Sequence, residues 1–104
     1  MMREWSNATM DYAIEHEESG TRGVFHLRTQ GRRVGELTYR RTGPAQVVAD
    51  HTWVDPSLRG QGAARHLQDA LVAWARSTQT KVVPQCSYVR VQFERNADMR
   101  DVRA

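Results

Sequence analysis

Cysteine is almost absent from this 104-residue chain: Cys86 stands alone, so no internal disulfide can form. A reducing, cytoplasmic setting is the expectation for such usage. Long apolar runs are missing too. No window approaches the roughly 18–20 apolar residues of a membrane-spanning helix. Met1–Thr9 lacks the apolar segment of a secretory signal, and no membrane partner is expected. Lysine is scarce, with Lys81 alone beside fourteen arginines. Internal repeats, low-complexity tracts and linkers are absent as well. At this length the chain reads as one domain over residues 1–104, with 1–9 expected to fray.

The net charge is +3, a mild basic excess that suits nucleic acid, a membrane surface or a phosphorylated cofactor. Acids gather early, at Asp11, Glu15, Glu17 and Glu18, whereas Arg22–Arg41 holds six arginines against Glu36 alone. No block of five like charges occurs, and no arginine cluster is interleaved with exposed aromatics. Nucleic-acid binding is therefore the weakest reading of this charge.

Turn signals divide the first half into short strands: Tyr12–His16, Gly23–Arg28, Arg33–Arg40 and Ala45–Val54, separated by Ser19-Gly20, Gln30-Gly31 and Thr42-Gly43-Pro44. Such short links predict an antiparallel meander. Alternation in the fourth strand places Val47, Ala49, His51 and Trp53 on one face, and Val48, Asp50, Thr52 and Val54 on the other. With apolar groups on both faces this strand is expected to be central, and Pro56 ends it. From Gly62 to about Thr78 the period becomes helical, with Leu67, Leu71, Trp74 and Ala75 in one stripe beside Ala64 and Ala70. A strand at Lys81–Pro84 and a weaker helix over Ser87–Arg95, capped by Ser87, complete the pattern. After Asn96 the sequence reads as irregular. The predicted fold is thus α/β: four antiparallel strands, a helical crossover, a fifth strand parallel to the fourth, and a short C-terminal helix.

Between the fourth strand and the long helix lies Val54-Asp-Pro-Ser-Leu-Arg-Gly-Gln-Gly-Ala-Ala64. Gly60 and Gly62 lack Cβ atoms, so the backbone can come close to a bulky anion and take positive φ. The helix start offers N–H groups without partners and a positive dipole end, and Arg59 adds a fork of donors suited to phosphate. A pyrophosphate-bearing cofactor is the expected ligand; the alternative is a tight turn and nothing more. Neither the Rossmann glycine spacing nor a P-loop Gly-Lys-Ser/Thr is present.

Arg59-x-x-Gly62-x-Ala64, in this position, resembles the Gln/Arg-x-x-Gly-x-Gly/Ala signature of the GCN5-related N-acetyltransferases, and Val54-x-Pro56 is similar to that superfamily's lead-in. His51-Thr52-x-Val54, Leu58-Arg59-Gly60-x-Gly62 and Lys81-Val-x-Pro84-x-Cys86-x-Tyr88-Val89 together resemble its short, single-domain acetyltransferase-like subfamily with a Pro-x-Cys motif. The resemblance spans residues 12–95. It departs from the pattern at Asn96-Ala97, where family members often carry His-Pro.

The resemblance implies acetyl-CoA as cofactor and an amine as acceptor, either a small molecule or a protein lysine. The backbone N–H groups of Gly60, Gln61, Gly62, Ala63 and Ala64, with Arg59, would hold the pyrophosphate, and Trp53 and Val54 would pair with the pantetheine arm as an added strand. Acetyl transfer needs a base for the amine and a proton for the departing thiolate. His51 is the candidate base. Cys86, before a helix, is the candidate acid or acyl-accepting nucleophile, and Tyr88 is a further proton donor. Each has a plain alternative: Cys86 as a small buried hydrophobe, and His51 as a hydrogen-bonded core residue. His16, His26 and His66 share no metal-ligand spacing with Cys86, so no metal site is read. Glu36 and Asp50 read as surface or structural charges and Trp74 as core. Two rival functions remain: acyl-CoA binding without turnover, and nucleic-acid binding through Arg22–Arg41.

Overall fold

The computed structural model describes residues 11–104; the expected fraying of 1–9 lies outside them. Five strands form one sheet in chain order: β1 (Ala13–Ser19), β2 (Arg22–Thr29), β3 (Arg32–Gly43), β4 (Gln46–Val54) and β5 (Lys81–Pro84). The first four pair antiparallel, whereas β4 and β5 are parallel. Their crossover is helix α1 (Ala63–Ser77), and α2 (Ser87–Arg95) follows β5. This is the predicted α/β order. The β2–β3 turn has a local cause: Gln30 and Gly31 both take positive φ, 52° and 76°, as a two-residue hairpin turn requires.

Two ends differ from the sequence reading. Cys86, not Ser87, is the N-cap of α2, because its N–H is tied to the Ala49 carbonyl at 2.8 Å and holds it extended. The segment after Asn96 is not irregular. It forms a 3-10 turn over Ala97–Val102 that buries Met99 and Val102, too few apolar residues to show a period. Arg103 then bridges Val82, which covers the outer edge of β5.

Both helices pack on one face of the sheet. Leu67, Leu71 and Ala75 of α1 and Val89 and Phe93 of α2 share a single cluster with Phe25, Leu27, Leu37, Tyr39, Val47, Ala49 and Val82. The opposite face carries no helix among the described residues, and Val48, buried on that side, stands apart from the cluster. Register places Arg40, Val48 and Val83 side by side, and Arg40 donates across β4 to Gln85 at 3.3 Å.

Alternation along β4 is broken. Thr38 pairs with His51 but Tyr39 pairs with Ala49, leaving Asp50 as an extra residue. Such a bulge reverses which side later residues face. Val47 and Ala49 lie under α1 as predicted, but His51 and Trp53 do not: both are exposed on the helix-free face, while Val54 is buried. The bulge is held by Asp50, which accepts from Thr38 Oγ1 at 2.6 Å and lies 3.6 Å from Arg40. The structural role read for Asp50 fits this geometry.

At the β1 end of α1, the Tyr39 hydroxyl donates to Glu18 at 2.9 Å and lies 2.7 Å from His16 Nε2. The His16 ring stacks on Phe25, with centroids 4.2 Å apart. Tyr39 passes over Gly23, where a Cβ would come within 2.1 Å of the ring. Gly23→Ala should therefore displace Tyr39 and cost about 1–3 kcal/mol in urea unfolding. Burial lowers the His16 pKa from 6.5, opposed by Glu18 and reinforced by Arg41. As pH falls below 6.5 the unfolded chain takes up this proton first, so stability drops until native His16 protonates as well. His16→Gln should flatten that part of the stability–pH curve, measured by urea unfolding over about pH 5 to 8.

Candidate functional site

β4 and β5 pair only from Gln46–Lys81 to Ala49–Pro84. Pro84 has no N–H to extend the ladder, and the chain turns at Gln85 into α2. From Thr52 to Val54, β4 faces a gap on that side. The Asp55 N–H donates to Val34 at 2.8 Å, which sets the antiparallel alternation across β3. With Gly35 opposite Val54 and Glu36 opposite Trp53, the Trp53 main chain points to β3, and those of Thr52 and Val54 point into the gap. The main-chain groups left free on that edge are therefore those of Thr52 and Val54, not of Trp53. This corrects the assignment of Trp53 and adds Thr52, whose place at the strand's free edge is not visible in an alternation pattern.

The turn beyond is built by its own residues. Asp55 accepts from Ser57 N–H at 2.9 Å and Ser57 Oγ at 2.8 Å, bonds that hold its exposed carboxyl below the usual range. Pro56–Leu58 forms a single 3-10 turn anchored by buried Leu58. The N–H groups of Arg59 and Gln61 are used within it, donating to Pro56 and Leu58 at 3.2 Å each. The Gln61 side chain also folds back, to the Ser57 carbonyl. Gln61 thus serves the turn, which corrects its place among the free donors. Gly60 and Gly62 take φ of 83° and 78° on either side of it, and alternation of that kind gathers successive N–H groups into one concavity. Gly60, Gly62, Ala63 and Ala64 are left with N–H groups that no main-chain carbonyl accepts among the described residues. A Cβ on Gly60 or Gly62 would meet nothing within 4 Å, so the space in front is open. A cavity of about 140 Å³ adjoins it, lined by Val54, Arg59, Ala64, Arg65 and Tyr88 among others.

At the other end of the gap Cys86 is half-buried, its Sγ 3.4 Å from Thr52 Oγ1. Tyr88, in the first turn of α2, is held protonated by burial, which raises its pKa; Arg65 opposes and Asp69 adds to this. The structure therefore gathers Thr52, Cys86 and Tyr88 with the turn on the helix side. His51 does not join them. It sits on the helix-free face with its Nε2 3.5 Å from Glu36 Oε2, so Glu36 is a second residue that sequence reasoning passed over. No three His, Cys, Asp or Glu residues form a metal-binding group among the described residues.

The family described as GCN5-related N-acetyl-transferase matches residues 24–102. A GCN5-like protein of Staphylococcus aureus has a similar structure, with TM-score 0.66 and 27% identity over 86% of this chain and 87% of that one. A GNAT family acetyltransferase of Elizabethkingia anophelis, solved with acetyl-CoA bound, aligns with TM-score 0.65 and 10% identity over 81% of this chain and 72% of its own. A ribosomal-protein-alanine N-acetyltransferase of Brucella melitensis aligns with TM-score 0.63 and 24% identity, over 74% of this chain and 62% of its own. No protein of curated function matches the sequence.

Because Gly62 is left-handed without crowding, its replacement tests conformation alone. Gly62→Ala should cost about 1–2 kcal/mol, and Gly62→Asn less, since asparagine tolerates this region; urea unfolding of both variants decides.

Proposed function

The chain belongs to the GCN5-related N-acetyltransferase family, and from that premise we propose that it transfers an acetyl group from acetyl-CoA to an amine. One observation carries the proposal: a row of unpartnered N–H groups at the start of α1 is continuous with the unpaired edge of β4. The N–H groups of Gly60, Gly62, Ala63 and Ala64, with the Arg59 guanidinium, suit a pyrophosphate. The free N–H and C=O groups of Thr52 and Val54 suit the amides of a pantetheine arm. Bound acetyl-CoA would supply a thioester-activated acetyl group.

The side chains divide the proton work. Cys86 Sγ–H, at the N-terminus of α2, can give its proton to a departing thiolate, or as thiolate accept the acetyl group before the amine does. Tyr88 Oη–H is a second donor at the same helix start. His51, across the sheet, can take the proton of an amine arriving over the helix-free face, with Glu36 orienting its ring. The separation of His51 from Cys86 by the sheet favours a second reading, acyl-CoA binding without turnover. The nucleic-acid reading loses support, since Arg28, Arg40 and Arg41 lie within 3.7 Å of Glu15, Asp50 and Glu18, respectively.

Acetyl-CoA at a hundred times its Kd should stabilise the protein by about 2.7 kcal/mol in thermal unfolding; no shift at millimolar ligand overturns the cofactor assignment. Cys86→Ala should lower kcat by about 100-fold or more while leaving the acetyl-CoA Kd unchanged. Binding by the native protein with no turnover on any amine would favour the second reading.

A further inference from the structure

We propose that Thr52 is the positioning residue for Cys86: its hydroxyl accepts from the thiol at rest and donates to the Cys86 thiolate once the proton has left. This rests on the acetyl-transfer reading and deepens it. Cys86 Sγ lies 3.4 Å from Thr52 Oγ1 at the end of the β4–β5 ladder. That hydroxyl is the one hydrogen-bonding partner of the sulfur among the described residues. Cys86 is the N-cap of α2, yet its side chain makes no capping bond to the first turn. The sulfur reaches across to β4 instead.

Both residues are fixed from behind. The Cys86 N–H donates to the Ala49 carbonyl at 2.8 Å, and the Arg90 N–H donates to the Cys86 carbonyl at 3.0 Å. Thr52 pairs with Leu37 on β3, and a β-branched side chain on a paired strand has few χ1 choices. The bulge at Asp50 turns Thr52 toward Cys86 while His51 and Trp53 face away. The setting is apolar: Leu37 is fully buried, and Cys86 packs against the same core cluster. Valine would fill that place with nearly the same shape and no hydroxyl. Thr52 Oγ1 has no partner but the sulfur among the described residues, so its own proton is free to turn.

The proton count follows directly. Cys86 breaks its Sγ–H bond and gives that proton to a departing thiolate, so the negative charge passes from the leaving sulfur to Sγ. Thr52 keeps its own proton throughout and turns it toward the new charge, which makes the bond the stronger, charge-assisted kind. Other ionisable groups surround the gap without bonding to Sγ. Arg59 in the turn, Arg65 on α1 with Asp69 beside it, and Tyr88 on α2 stand at the cavity; Arg90 is exposed one turn along α2. Glu36 and His51 pair on the opposite face. Thr52 also presents free main-chain groups to the gap. One residue thus sets both the open edge and the thiol, and its side chain can be changed while the edge remains.

Cys86 is the sole cysteine, so iodoacetamide alkylation, followed by intact mass on protein without acetyl-CoA, reads this thiol alone. Rates are compared over about pH 6 to 10 for the native protein, Thr52→Val and Thr52→Ser. The high-pH plateau reports access to the sulfur, and the midpoint reports ionisation. Thr52→Val should move the midpoint up by about one pH unit, the scale of one hydrogen bond to a charged atom. Thr52→Ser, which keeps the hydroxyl, should stay near the native midpoint. A midpoint for Thr52→Val that is unchanged or lower, or one for Thr52→Ser displaced as far, overturns the proposal. In turnover, Thr52→Val should lower kcat by about tenfold with the KM for acetyl-CoA unchanged; a native kcat overturns the role too. If the native protein acetylates no amine, the transferase reading falls, while the alkylation midpoints still decide what Thr52 does to Cys86.

Discussion

The parallel ladder between β4 and β5 stops after Ala49 and Pro84, and the rest of the site depends on that stop. Proline has no N–H to carry the pairing further. The next bond comes from Cys86, whose N–H closes on the Ala49 carbonyl and starts α2 there. One short ladder thereby creates a gap, leaves main-chain groups of Thr52 and Val54 facing it, and brings the Cys86 thiol to Thr52. The glycine turn stands at the open end of the same gap. The open edge and the row of free N–H groups are thus continuous, and the proposed binding of acetyl-CoA rests on that continuity.

The bulge at Asp50 is the second constraint. It reverses the strand, so residues adjacent in sequence serve opposite faces. Thr52 looks toward the helices, and His51 and Trp53 look toward the open face. In this arrangement the Cys86 side of β4 and the His51 side are separated by the thickness of one strand. The bonds that hold Asp50, to Thr38 and Arg40, come from the open face itself. The geometry of the gap and the shape of the open face are therefore coupled through one carboxylate.

Much of this was legible beforehand. The hairpin at Gln30-Gly31, the helical stripe Leu67–Leu71–Ala75 and the crossover to Lys81–Pro84 all appear as local patterns, and each formed as read. The glycine turn was also placed correctly. Its donors were not: five N–H groups from Gly60 to Ala64 looked equivalent, but Gln61 gives its own to Leu58. Glu36 looked like an ordinary surface charge, because nothing in sequence sets a residue on β3 beside His51.

The order of elements, the parallel sense of β4 and β5 and the place of the glycine turn were determined by the sequence alone, since each follows from local periodicity, turn residues and the helical crossover between the two strands. Which face His51 and Trp53 occupy, which N–H groups remain free, and the meeting of Cys86 with Thr52 were decided only in the tertiary structure. The physical reason is that a bulge exists only relative to a partner strand. A donor is likewise free only relative to the acceptors around it, and both are properties of pairing rather than of composition.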